Sequence, residues 1–179
     1  LRFDTFEPDP EAQAVFKAVV AWSESDGDGS LLLYGQSSKG KSGLAACALE
    51  ARALLTLSSG WFVEEGALKK RVQDEMFTPK EERGRGWESS AERAKNVSLL
   101  VLDDIGKAQV TDNWEQELTA VISHRQLNHK PTIFTANLGL GDLGERLGYY
   151  LLDRITMMCG EGEHVHMLKG RNRRTSKLL

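Results

Sequence analysis

Hydrophobic and polar positions along the chain alternate between two textures. Longer mixed stretches, at about Glu11 to Trp22, Lys41 to Leu57, Gly66 to Met76, Trp114 to Leu127 and Gly148 to Thr156, read as helices. Short apolar blocks at Leu31 to Tyr34, Trp61 to Glu64, Ser98 to Leu102, Thr132 to Thr135 and His164 to Leu168 read as strands. Strand and helix in alternation predict an α/β domain with a five-stranded, mainly parallel sheet flanked by helices. Asp26-Gly27-Asp28-Gly29 marks a turn ahead of the first strand. The stretch Pro79 to Ser90, with Gly84, Gly86 and mixed charges, is the one best suited to a mobile loop.

Composition narrows the class. At 179 residues, 40% hydrophobic and 27% charged, the chain suits a single domain that buries about 70% of its unfolded surface. No apolar run approaches the roughly 18 residues that a bilayer crossing requires, and the N-terminus carries neither a basic nor an apolar signal region, so a cytoplasmic protein with no membrane partner is expected. Cys47 and Cys159 lie far apart and read as reduced, structural thiols. The first residue is Leu1 rather than Met, so a preceding segment, including any partner-binding region, is expected to be missing from this chain. The net charge of -3 is unevenly spread. Residues 1–30 are predominantly acidic, while Lys169, Arg171, Arg173, Arg174 and Lys177 crowd the C-terminus as an anion-facing or simply solvated tail.

The strongest chemical signal is Gly35-Gln36-Ser37-Ser38-Lys39-Gly40-Lys41-Ser42, which fills G-x-x-x-x-G-K-[ST] between the first strand and the run that begins at Gly43. A glycine-rich turn in that position points several backbone N–H groups into one concavity, and the helix N-terminus adds partial positive charge where phosphate oxygens would sit. ATP and magnesium are therefore the expected cofactors, with Lys41 on the β/γ-phosphates, the Ser42 hydroxyl on the metal and residues 35–43 forming the cradle. Lys39 either adds a phosphate contact or faces solvent, and the second reading is favoured.

A second signal is Leu99-Leu100-Val101-Leu102-Asp103-Asp104-Ile105-Gly106. Apolar residues without alternation fit a central strand covered on both faces. A carboxylate at its C-terminal end would stand beside the phosphate loop, so Asp103 suits magnesium, directly or through water. Asp104 points elsewhere and is placed to orient or polarise an attacking water. Glu64 and Glu65, after the second strand, compete with Asp104 for that role.

The order of the remaining pieces resembles a known family. Phe3-Asp4-Thr5-Phe6 before a helix, the GQSSKGKS loop, LLVLDDIG, the strand segment IFTANL, the late Asp153-Arg154-Ile155 and the closing Gly170-Arg171-Asn172-Arg173-Arg174 together look like the AAA+ core of the DnaC/DnaI-type bacterial helicase loaders and the related IstB transposition ATPases. The resemblance covers nearly the whole chain and implies a P-loop ATPase. By position, Asn137 matches the sensor 1 asparagine that helps place the lytic water. Arg154 matches the arginine finger that serves the ATP of a neighbouring subunit, which implies self-association and slow turnover in the monomer. Arg174 matches the sensor 2 arginine, with Arg173 its rival because Asn172-Arg173 departs from the family pattern. Arg125 matches a frequent family arginine, or else stabilises a helix end. Few residues follow Arg174, so no C-terminal lid domain is expected within this chain. Partners implied are a replicative helicase and single-stranded DNA.

The residues themselves support DNA contact modestly. Lys69, Lys70, Arg71, Arg83, Arg85, Arg93 and Lys95, with Phe77 and Trp87 among them, offer backbone-neutralising charge and stacking surfaces, diluted by neighbouring glutamates. His164 and His166 near Cys159 hint at zinc but lack a fourth ligand, and the tryptophans Trp22, Trp61 and Trp114 read as packing anchors. The leading function is an assembly-dependent ATPase that loads or remodels a replicative helicase on single-stranded DNA. An IstB-like ATPase assisting a transposase on duplex DNA is the alternative, and a small-molecule P-loop kinase is a third class.

Overall fold

The computed structural model describes residues 2–25, 27, 29–79, 84 and 86–172. Two 3-10 turns, Phe3–Thr5 and Pro10–Ala12, lead into α1 (Gln13–Glu24). There follow β1 (Leu31–Tyr34), α2 (Lys41–Thr56), β2 (Gly60–Glu64), α3 (Glu65–Met76), α4 (Ser90–Asn96), β3 (Leu99–Ile105), α5 (Asp112–Leu127), β4 (Thr132–Ala136), α6 (Leu140–Leu147), α7 (Tyr149–Met158) and β5 (Val165–Met167). All five strands lie in one sheet in the order β2-β3-β4-β1-β5, and every neighbouring pair is parallel. The carboxyl ends of β3, β4 and β1 are thus side by side along one edge, the place where open α/β sheets hold ligands.

The apolar blocks of β1, β3 and β4 lack alternation because both faces of the sheet are covered there, whereas the edge strand β2 alternates. Leu31 and Leu33 of β1, Leu99 and Val101 of β3 and Ile133 of β4 pack with Val19, Trp22, Leu44 and Ala48 on the α1/α2 side. Leu32, Leu100, Leu102 and Phe134 point the other way, into a core with Leu68 of α3, Leu118 and Ile122 of α5, Leu143 of α6 and Ile155 of α7. Each fully buried leucine contributes about 1.5–3 kcal/mol relative to exposure, so these strands hold the site rigidly between two layers of helix.

Two helices were invisible to periodicity. The first, α4, is a short charged segment, SAERAKN, whose start is set by Ser89, the side chain of which accepts from Glu92 N at 3.1 Å. The second, α6, contains Gly141 and Gly144, residues that ordinarily argue against a helix. Gly144 packs against α7: a Cβ there would lie 2.6 Å from Cε1 of Tyr149, so a larger residue would have to displace that ring. The Pro79 to Ser90 stretch ends in α4, and its residues 80–83 and 85 lie outside the described residues. Strand β3 runs on to Ile105, past both aspartates, with an irregularity against β4 between Leu102 and Ile105. Among the described residues no helix is long and apolar enough to cross a membrane.

Candidate nucleotide site

The phosphate loop leaves β1 through Gly35 at φ +124°, where a Cβ would lie 2.9 Å from the Leu168 carbonyl oxygen. It turns again through Ser38 at φ +65° and Gly40 at φ +101° and enters α2 at Lys41. Left-handed residues at these points are what curl the loop into a concavity, and glycine bears that conformation at little cost. Ser42 is exposed at the loop's mouth. Lys41 is only 4% exposed. Its Nζ donates to Gly35 O at 2.8 Å, to Gln36 O at 2.8 Å and to Asn137 Oδ1 at 2.7 Å, which uses all three ammonium protons. Burial pushes this ammonium below its ordinary value, while Asp104 and Asp103 act in the opposite direction.

The acid pair arrives from β3 and is pinned by β4. Thr135 Oγ1 donates to Asp103 Oδ1 at 2.6 Å and accepts from Asp104 N at 2.9 Å. The other Asp103 oxygen carries no protein hydrogen bond among the described residues, and with the Ser42 hydroxyl it makes a hard-oxygen donor set that suits magnesium. Asp104 sits at φ +61°, a left-handed residue inside a strand, at the irregularity of β3 against β4. Asn137 Nδ2 donates to Asp104 Oδ1. Asn137 therefore joins the phosphate-loop lysine to the second acid, and three of the residues singled out in the sequence form one hydrogen-bonded chain.

Glu64 and Glu65 have other duties. Glu65 is fully buried and receives only donors: Gly106 N at 2.8 Å and Ala108 N at 3.4 Å on Oε2, and Trp114 Nε1 at 2.9 Å on Oε1. It fastens the loop that follows the acid pair to α5, and burial raises its carboxyl above the ordinary value. Glu64 Oε1 lies 2.9 Å from Lys107 Nζ, and the same ammonium lies 3.0 Å from Asp104 Oδ2. Sequence reasoning missed both Lys107 and the anchoring role of Glu65. The lysine is separated from the acids by one turn, and nothing in a lone glutamate after a strand announces its burial.

Other expected residues fall elsewhere. Lys39 is half-buried rather than free in solvent, and it meets no phosphate-loop carbonyl. It donates to the Gly170 carbonyl at 2.5 Å, because the chain leaving β5 passes directly over the loop. Arg154 donates to Gln126 Oε1 at 2.7 Å and to the Tyr150 hydroxyl, with its guanidinium 4.7 Å from the Tyr150 ring centroid. Its partners belong to α5 and α7, not to the phosphate loop. Arg173 and Arg174 lie outside the described residues. Arg125 is structural: fully buried, it donates to Thr132 Oγ1 and to the carbonyls of Ala94, Val97 and Pro131, and burial without a carboxylate partner lowers it to about 10.

The basic segment is largely engaged within the fold. Lys69 donates to Gln109 O, Lys70 pairs with Asp74, Lys95 with Glu92, and Arg93 lies 4.7 Å from the Trp61 ring centroid. Phe77 remains 85% exposed, and Arg83 and Arg85 lie outside the described residues. Among the described residues no group of three or more His, Cys, Asp or Glu side chains is placed to hold a metal by itself. Cys159 is buried in the core, which pushes its thiol up to about 12.

A sequence profile of the IstB-like ATP binding proteins matches residues 5–177. The chain belongs to that family. Among curated relatives, this IstB-like chain is 28% identical to the replicative helicase loader DnaI of Bacillus subtilis (strain 168) over 152 residues, covering 79% of the chain and 45% of the loader. It spans less than half the length of the curated relatives it matches. Among solved structures it is similar to the DnaC helicase loader, with a TM-score of 0.78 at 23% identity over 95% of this chain and 96% of that one. It is also similar to the replication initiator DnaA bound to AMPPCP and single-stranded DNA, with a TM-score of 0.75 at 16% identity over 96% and 50% of the two chains. These likenesses show the fold, a P-loop AAA+ core built on the five-stranded parallel sheet.

Proposed function

We propose that this chain binds ATP with magnesium, hydrolyses it, and uses the cycle to load or remodel a replicative helicase on single-stranded DNA. The observation that carries this reading is the chain from Lys41 through Asn137 to Asp104, assembled from the ends of three adjacent strands. Lys41 and the loop amides would grip the triphosphate, and Asp103 and Ser42 would hold magnesium, which supplies charge neutralisation at the phosphates. Asp104 and Asn137 would orient the attacking water opposite the γ-phosphate. Likeness to loaders supports the helicase as partner, and the DnaA neighbour with its bound single strand supports nucleic acid as the second ligand.

Hydrolysis would depend on assembly. The transition state spreads charge over the equatorial oxygens, and a guanidinium delivered from outside is worth about 10³–10⁵ in rate. Arg154, held by Tyr150 and Gln126 away from its own chain's phosphate loop, suits delivery to a neighbouring copy. The test is turnover per chain against protein concentration, with and without single-stranded and duplex DNA. A rate that climbs with concentration, is stimulated by single strands and loses its climb in Arg154→Ala supports the proposal. A flat rate unaffected by that substitution contradicts it. The family match keeps one competitor in view, an ATPase that prepares duplex DNA for a transposase. Stimulation by duplex in preference to single-stranded DNA would favour it.

A further inference from the structure

Asp104 is doubly held. Asn137 donates to Oδ1, and Lys107 reaches Oδ2 at 3.0 Å. An ammonium on one carboxylate oxygen and an amide N–H on the other compete with a water O–H for the same lone pairs. In this arrangement Asp104 is not ready to polarise a nucleophile. The Asp104 side chain is 14% exposed, whereas that of Lys107 is 65% exposed and carried on the loop after β3, so the lysine is the member of the pair that can leave. It also has a second place to go. Lys107 lies 2.9 Å from Glu64, at the end of β2, and lines a cavity of about 270 Å³ together with Asp104, Asn137 and Ser37 of the phosphate loop.

We propose that Lys107 is a positioning residue that clamps Asp104 in a resting state, and that Glu64 opposes the clamp by drawing the same ammonium toward β2. The inference rests on the reading of Asp104 as the water-orienting acid. Lys107 slows basal hydrolysis because its ion pair must open before Asp104 can serve. With its ammonium largely in solvent, this pair is weak enough to open on every cycle, and its removal is worth about two- to fivefold in rate. Glu64 acts only through Lys107: without it, Asp104 becomes the one carboxylate paired with the ammonium among the described residues, and the clamp tightens.

The experiment is steady-state ATP hydrolysis with magnesium by the full chain at low protein concentration, comparing wild type, Lys107→Met, Lys107→Arg, Glu64→Gln, the Lys107→Met/Glu64→Gln double variant and Asp104→Asn. Lys107→Met is expected to raise kcat about two- to fivefold while moving KM less than kcat, and Lys107→Arg to give a rate nearer to wild type. Glu64→Gln is expected to lower kcat, and the double variant to match Lys107→Met because the glutamate has lost its intermediary. A Lys107→Met rate at or below wild type overturns the clamp, as does a Glu64→Gln effect that persists without the lysine. If Asp104→Asn leaves the wild-type rate intact, the underlying reading of Asp104 fails instead, so the two failures are separable.

Discussion

Lys41 and Asn137, 96 residues apart in sequence, meet across the ends of β1 and β4 in a 2.7 Å hydrogen bond from Nζ to Oδ1. The contact places one of the lysine's three protons on a residue that also touches Asp104, so in the proposed mechanism phosphate grip and water placement would share a single side chain. Asn137→Ala should leave nucleotide affinity within a few-fold of wild type and lower single-turnover hydrolysis by about 10²-fold, the usual cost of removing one preorganised polar group beside reacting atoms. Equal losses in affinity and rate would mean that Asn137 acts mainly by holding the lysine.

The two aspartates should separate by role. Asp103, pinned by Thr135 with one oxygen left over, is the acid we propose for the metal side. Asp103→Asn is expected to raise the magnesium concentration needed for half-maximal turnover. Asp104→Asn should leave that requirement in place and remove turnover at saturating magnesium. A magnesium titration of both variants checks the division.

Glu65 predicts a pH signature. Its three partners all donate, so Glu65→Gln sets an amide N–H₂ against N–H groups and should cost about 1–3 kcal/mol. Burial raises the carboxyl above its ordinary value despite those bonds. A raised acid contributes stability that is fully present below the unfolded glutamate pKa and is lost as pH rises through the folded one. The melting-temperature advantage of wild type over Glu65→Gln should therefore widen as pH falls through that window. A difference that stays constant from neutral to mildly acidic pH would contradict the assignment.

Arg125 ties α4, α5 and β4 together through carbonyls rather than through a carboxylate. Lysine cannot reproduce a fork that serves Thr132, Ala94, Val97 and Pro131 at once. Arg125→Lys should lose about 2–3 kcal/mol, read as a melting point lower by roughly 5–10 °C, with nucleotide affinity little changed in the folded fraction.

The sequence was most legible where chemistry demands fixed spacing. The phosphate loop, the acid pair and Asn137 stand at strand ends because each block of apolar residues delivers its polar successor to the same edge of a parallel sheet. What escaped reading was decided by tertiary contact. Helix α6 carries two glycines, one of which, Gly144, lies against α7, and α4 is too short and charged to show a period. Lys39 is captured by Gly170, 131 residues away in sequence, and Glu65 is buried by a loop and a tryptophan 49 residues on. No local pattern encodes such meetings, whereas the loop motif is encoded locally by its own backbone geometry.

Lys41 and its loop are proposed to grip the triphosphate of a magnesium nucleotide. Equilibrium binding of a fluorescent ATP analogue with magnesium, to wild type and to Lys41→Ala of matched melting temperature, tests it most directly. Wild type is expected to bind saturably, and the variant to bind at least about tenfold more weakly, the equivalent of roughly 1.4 kcal/mol. Equal affinity in the two proteins, or no binding by wild type at millimolar nucleotide, would contradict it.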